Sequence, residues 1–461
     1  MYNKPLPSKP ILVLLLLTLT PIFGHGQNID GRVLDMDSKQ PLENVNVYIE
    51  NSEVGTATNR KGEFKLSNLS TIHTPDSLTF SRVGYKTVKI GFRELTGKPI
   101  TVLMQELPSE LSEVTVEGKK KLNEKLPFHK LSPLKKGVFA FGSIVVNDSI
   151  YVIGGSESFS EDAMRKAMYD ASIKYIDPSW VDVLNEMEPN GTHTAYNNIL
   201  LTYDIQMDEW RATETHFENR EQHQINKFGE KVFVLGGKRK SKNGKNEYLL
   251  NTIEIFDLDS LNIVIDDVNP HQAVDFASFT YKDNILVMGG SVKLNKAGKK
   301  VFTDKCRFFN ITSGYWYELE NMTKAKEVDG ALIGDKVYLI GGFDGQALTE
   351  IESLDLITGK WEKEGDLFYA MQRPSIASHE DIIYIYNFGK LTVFNTLKNT
   401  LTAYDIDLYL KDPNLLYHKN KLYVLGGYTE ELYSKTPSAG LFAIDLDEMG
   451  RTKVRDSKEL N

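Results

Sequence analysis

The side chains best placed to hold or transform a small molecule are Arg220, His223, Asp275, Lys326, Asp329 and Arg373, because each falls in a connection that joins one repeated unit to the next. Together they offer two guanidinium groups, an ammonium, an imidazole and two carboxyls, a set able to hydrogen-bond and charge-pair a polar ligand. No motif that announces chemistry accompanies them. The nine histidines are scattered, none forming a metal-spaced pair, and neither a nucleophile elbow nor a phosphate-cradling glycine loop occurs. The expectation is no metal, no cofactor and no catalytic set, with those six residues as ligand contacts. Cys306, in "DKCRFFNI", opens a strand and reads as a buried core thiol.

These residues need a scaffold, and 461 residues are too many for one ordinary core. A hydrophobic content of 41% with 25% charged residues describes a folded chain. The net charge of -9 argues against a nucleic-acid binder, which needs a dominant basic surface. Residues 1–27 place Lys4 and Lys9 ahead of an apolar run from Ile11 to Phe23 that Pro21 interrupts. That run is about 13 residues, short of the roughly 20 a bilayer span requires, so it reads as a secretory signal cleaved near Gly26 and Gln27. The mature chain then has no transmembrane segment and is expected to be exported, to the periplasm, the outer membrane or the cell exterior. With Cys306 the only cysteine, no intramolecular disulfide can form, and stability must come from packing.

Residues 135–461 repeat themselves. Six apolar strands read "SIYVIGG", "KVFVLGG", "NILVMGG", "KVYLIGG", "DIIYIYN" and "KLYVLGG", spaced by roughly 50 residues apart from one large insertion in the first unit. Five end in glycine doublets: Gly154 and Gly155, Gly236 and Gly237, Gly289 and Gly290, Gly341 and Gly342, Gly426 and Gly427. Downstream, an aromatic or apolar residue precedes a tryptophan or its substitute by a fixed interval: Tyr203 and Trp210, Phe256 and Ile263, Phe309 and Trp316, Leu354 and Trp361, Phe394 and Leu401, Ile444 and Arg451. This pattern resembles the kelch repeat, in which each unit is one four-stranded blade of a β-propeller. The resemblance implies six blades that bury one another's faces, with glycines where the chain turns and backbones approach, and tryptophan between blades. The fifth unit, with Tyr386 and Asn387 for the doublet, and the sixth, with Arg451 for tryptophan, should be the irregular ones. Each unit reads as carrying all four strands, and a strand from residues 109–134 is available to close the ring.

Residues 28–106 alternate apolar and polar residues in short runs separated by turn signals, as a small antiparallel β-sandwich would. Gly31, Pro41, Leu42, Gly55, Thr58, Gly62, Phe64, Val83, Gly84 and Tyr85 occur in an order that resembles the carboxypeptidase regulatory-like domain, a transthyretin-type sandwich common in exported Bacteroidota proteins. Gly55 and Gly62 are expected to supply turn conformations and Phe64 to enter the core. Residues 107–134 form a linker containing "LSEVTVEG" at Leu111 to Gly118, which resembles a strand that docks a coupling protein in outer-membrane receptors; without a barrel behind it, it reads as an inherited linker strand. The predicted fold is thus all-β: a small antiparallel sandwich followed by a six-bladed kelch-type propeller.

In an up-and-down blade, the second-to-third and fourth-to-first connections share one face. The former are long, including residues 156–197 with a short helix around Ser160 to Tyr169, and long loops on a rigid scaffold are where binding resides. Lys238, Arg239, Lys240, Lys242 and Lys245 neighbour Lys293, Lys296, Lys299 and Lys300 there, as a solvated surface or as a basic arc for an anionic glycan or acidic protein. The leading expectation is a noncatalytic cell-envelope protein binding a protein or glycan partner through that face. The alternative follows from resemblance: a periplasmic sialic-acid epimerase is also a six-bladed kelch propeller, which implies a carbohydrate epimerase using acid and base residues at the channel mouth, with Arg373 and Glu327 as the residues whose replacement would abolish activity.

Overall fold

The structure is a computed structural model, and it describes residues 29–49, 54–67, 77–91, 95, 99–107, 121–241, 246–266, 268–294 and 299–460. The signal at 1–27, the segment Leu111 to Gly118, and Lys242, Lys245 and Lys296 lie outside the described residues. The chain divides into two compact units at residue 111.

In the first unit, β1 (Ile29–Asp35), β2 (Asn46–Ile49), β3 (Gly55–Ala57), β4 (Glu63–Leu66), β5 (Ser77–Ser81), β6 (Val88–Gly91) and β7 (Ile100–Met104) form two sheets, ordered β4-β1-β7 and β3-β2-β5-β6. Period-two patterning sends Val33, Val47, Phe64, Leu78, Phe80 and Val102 into one core, where Phe64 meets Phe80 edge-on at 5.3 Å. The sandwich is not wholly antiparallel, because β1 and β7 pair in parallel. Gly62 has φ 74, as its turn requires, whereas Gly55 simply begins β3 and has no positive φ. Its glycine instead sits close over Tyr48, where a Cβ would come within 3.1 Å of the Tyr48 Cβ.

The second unit is a six-bladed β-propeller. Its inner strands are Gly142–Val146, Gln224–Phe228, Ala277–Tyr281, Glu327–Ile333, Ser375–His379 and Asn414–His418, each beginning an antiparallel meander, and each touches the next in a closed cycle. Six apolar clusters lie between neighbouring blades, one per joint: Ile153, Val232 and Phe256 between the first two, Phe276, Ile285 and Phe309 between the next two, and so round to Phe141, Ile150 and Leu425 where the sixth meets the first. A sheet buried on both faces reads as a continuous apolar run, which is why the second strands are built of Val, Ile, Leu, Met and aromatic residues with scarcely a polar one between.

The aromatic and tryptophan positions turn out to be cross-strand partners in five blades: Tyr203 opposite Trp210, Phe256 opposite Ile263, Phe309 opposite Trp316, Leu354 opposite Trp361 and Phe394 opposite Leu401. The sixth unit departs from expectation. Ile444 pairs with Leu422, and Arg451 lies in a 3-10 helix, Leu446–Arg451, so that unit lacks a fourth strand of its own. The place is taken by β8 (His129–Lys130), which pairs with Ala443 and Phe442 and so completes the last blade with the earliest strand of the unit. The C-terminal strand Asp456–Glu459 in turn adds a fifth strand to blade five.

The glycine doublets mark where the next blade's incoming chain crosses. Gly155, Gly237 and Gly290 donate their N–H groups to the carbonyls of Arg220, Ala273 and Lys326, residues of the following blade. Gly342 combines a φ of 111 with close approach to the first strand of its own blade, where a Cβ would sit 2.3 Å from the Glu327 carbonyl oxygen. Gly342→Ala is therefore expected to destabilise the propeller by about 1–3 kcal/mol, measured as a lowered denaturant midpoint at unchanged slope.

Candidate functional site

Four connections that lead into an inner strand are bridged to the base of a second-to-third connection, Phe139 to Ser156, Glu221 to Lys238, Val274 to Ser291 and Lys411 to Tyr428, so both kinds of loop rise on one face. In that rim, Ala140, Gln222, Asp275 and Asp412 adopt left-handed φ of 54, 57, 51 and 56. Backbone bonds link successive blades here: Gln222 N–H to Ala140 O at 2.8 Å, Asp275 N–H to Gln222 O at 3.4 Å, and Val328 N–H to Asp275 O at 3.1 Å. Such conformations cost energy for residues with side chains, and their recurrence at one register is the kind of strain that collects at functional sites.

The rim surrounds an axial cavity of about 540 Å³, whose wall includes Asp275, Glu327, Asp329, Arg373 and Asp412. Arg373 is the hub. One terminal nitrogen lies 2.5 Å from Asp275 Oδ2 and 4.0 Å from Glu327 Oε2, and the other lies 3.3 Å from Asp412 Oδ2. Burial alone would lower the guanidinium's pKa, but Asp275, Asp412 and Glu327 outweigh it and hold it far up. Gln222 Nε2 donates to the same Asp275 oxygen at 2.6 Å. Asp412 is pushed up by burial against the pull of Arg373. Asp329 is raised to about 7 by burial, with the Gly330 N–H opposing and the negative Asp275 and Asp412 adding to it.

Glu327 is 1% exposed and shared between two roles. Its Oε1 accepts from Ser291 Oγ at 2.7 Å and Lys300 Nζ at 2.5 Å, while Oε2 has no hydrogen-bond partner. Lys300 comes from the hairpin Ser291–Leu294 and Lys300–Phe302, the second-to-third connection of blade three, so one long loop reaches down onto the cavity wall.

Of the six residues expected as ligand contacts, Asp275, Asp329 and Arg373 line the cavity together. His223 also borders it, but its Nε2 is engaged with Ile153 O at 3.1 Å, and burial lowers its pKa to about 3, which leaves a neutral packing imidazole. Arg220 and Lys326 do not line it. Both are fully buried cations held by carboxylates of their own blades, Arg220 by Glu254 at 2.8 Å and Lys326 by Glu352 at 2.5 Å. Asp412 and Gln222 were missed in the sequence, although "DPN" at 412–414 repeats the form of "RPS" at 373–375.

Cations of the expected basic arc are spent on carboxylates: Lys238 on Glu247 at 2.8 Å, Arg239 on Glu218 at 3.7 Å, Lys240 on Glu221 at 3.5 Å, and Lys300 as above. The large insertion holds two helices, α1 (Ala163–Lys174) and α2 (Trp180–Asn185), where one around Ser160 to Tyr169 was expected. Cys306 is buried, and burial pushes its thiol up to about 12. Among the described residues no group of three or more His, Cys, Asp or Glu is set to hold a metal ion, and no helix is long and apolar enough to cross a membrane.

Comparison with known proteins agrees with this architecture. Residues 29–116 match the family model of the CarboxypepD_reg-like domain, and residues 330–367 match that of the Kelch motif. The Kelch-like protein 6 of Homo sapiens is 25% identical over 118 residues, a match that takes in 25% of this chain and only 18% of that protein. Among solved structures, one described as "Structure of YjhT" superposes with a TM-score of 0.52 at 15% identity, covering 71% of this chain and 99% of that one, a likeness of fold. The chain thus carries a carboxypeptidase regulatory-like domain followed by a propeller with a Kelch motif region.

Two expectations follow from the buried charges. Arg220→Met leaves Glu254 without its partner and should cost about 3–5 kcal/mol, read from chemical denaturation. Asp329 binds its proton more tightly folded than unfolded, so between 3.8 and about 7 the folded state holds the excess protons and stability falls as pH rises. Melting temperatures of wild type and Asp329→Asn across that window should therefore diverge, with the wild type losing ground toward neutral pH.

Proposed function

We propose that the axial cavity is the active site of an exported carbohydrate epimerase or mutarotase, which shares with sialic-acid epimerases the chemistry of opening and reclosing a sugar ring. The observation that carries this reading is the coexistence, on one cavity wall, of a carboxyl that keeps a proton near neutral pH, Asp329, with the Arg373 guanidinium and the half-partnered Glu327 carboxylate. Carboxyl groups whose environments drive them apart can divide the work of acid and base. In the forward step a carboxylate takes the proton from the anomeric hydroxyl while Asp329 gives its proton to the ring oxygen. The bond from the anomeric carbon to the ring oxygen breaks, and the former hydroxyl becomes a carbonyl. Closure on the opposite face returns both protons. Arg373 stabilises negative charge that develops on the sugar oxygens.

A second reading has its own support. The α1 and α2 insertion exposes Ile176, Trp180, Val181 and Leu184, all more than half accessible, on the long-loop face. Apolar side chains grouped on a surface favour a protein partner in the cell envelope, with or without catalysis.

Exchange of sugar anomers, followed by magnetisation-transfer NMR on a panel of reducing sugars, tests the proposal. The full chain should accelerate exchange of at least one sugar, and Asp329→Asn should lower that rate by about 100-fold. The rate should also decline as pH rises through about 7, where Asp329 loses its proton. Wild-type exchange at the spontaneous rate across the panel would remove the enzyme reading and leave the partner reading.

A further inference from the structure

We infer that the axial cavity is built for a sugar that carries no carboxylate, so that an uncharged ring is bound and its uronic or sialic counterpart is turned away. The inference rests on reading the cavity as a sugar site and names what that site accepts.

A ligand carboxylate is normally received by two parallel donors of a guanidinium. Here both terminal nitrogens of Arg373 are already committed, to Asp275 and to Asp412, with Glu327 waiting at 4.0 Å. Its remaining donor, Nε, has no partner but is sealed from solvent, and a single sealed N–H cannot take a carboxylate in the paired fashion. The other cations near the wall are similarly engaged. Lys300 holds Glu327 at 2.5 Å. Lys435 lies over the rings of Phe139 and Tyr428, 3.9 and 3.7 Å from their centroids. Lys227 donates to Gly229 O at 2.5 Å and lies 3.9 Å from Glu230. His223, engaged with the Ile153 carbonyl, is neutral.

An acceptor, by contrast, is left over. Glu327 Oε2 is buried in a residue only 1% exposed, has no hydrogen-bond partner, and belongs to the cavity wall. Four carboxyl groups, Asp275, Glu327, Asp329 and Asp412, face the same space as one guanidinium. A further negative charge there would meet repulsion that a low-dielectric wall amplifies, whereas a hydroxyl hydrogen would satisfy the idle Glu327 Oε2.

Galactose and galacturonic acid differ only in exchanging a hydroxymethyl for a carboxylate, and mannose and mannuronic acid repeat the comparison. Titration calorimetry of the full chain with these four sugars at pH 7.5 and low salt should show a neutral member binding at least tenfold tighter than its acid. Asp412→Ala, which frees one terminal nitrogen of Arg373, should narrow that ratio several-fold. Equal or tighter binding of the acid overturns the inference, and so does no binding of any member. A neutral preference without anomer exchange would uphold it while removing the catalytic reading. Fast exchange of an acidic sugar would do the reverse.

Discussion

The propeller depends on one constraint: no blade can cover its own faces. Each four-stranded sheet is apolar on both sides, and each finds its cover only in its neighbours, through the six clusters that alternate with the blades around the axis. A missing joint would expose two faces at once. The closed cycle of inner strands follows from that requirement, and the cavity is what remains at the centre when six twisted sheets meet.

The central charges inherit this rigidity. Arg373 and its carboxylates come from the entrances to the inner strands of four different blades, so their spacing is set by the diameter of the ring and not by any local segment. Backbone bonds that step from Ala140 to Gln222, Asp275 and Val328 fix the rim that carries them. Preorganisation of this sort lets polar groups meet a ligand without first rearranging.

Much of the architecture was legible because its rules are local. An apolar strand ending in two glycines, followed at a set interval by an aromatic pair, records a hairpin whose facing residues sit opposite one another, as Tyr203 and Trp210 do. The site was legible only in part because it is assembled across blades. Arg220 and Lys326 look like rim cations in the chain, yet Glu254 and Glu352, which claim them, stand on third strands where an acidic residue in an alternating pattern reads as solvent-facing. Asp412 escaped notice although its unit places it where the preceding unit places Arg373. The second helix of the insertion was missed despite its capping box, in which Ser179 and Asp182 satisfy each other's backbone N–H groups. The sixth unit misled for a different reason: a strand supplied from far away leaves no trace at the position it fills.

That borrowed strand has a bearing on how the molecule comes into being. His129–Lys130 precedes all six blades in the chain, while the edge it completes, Leu441–Asp445, is among the last stretches of the propeller to be made. Until the ribosome has delivered nearly the whole propeller, the sheets can stack only as an open arc with a sticky face at each end. Shielding of that nascent intermediate, more than the finished disc, is where a cell would have to invest chaperone attention.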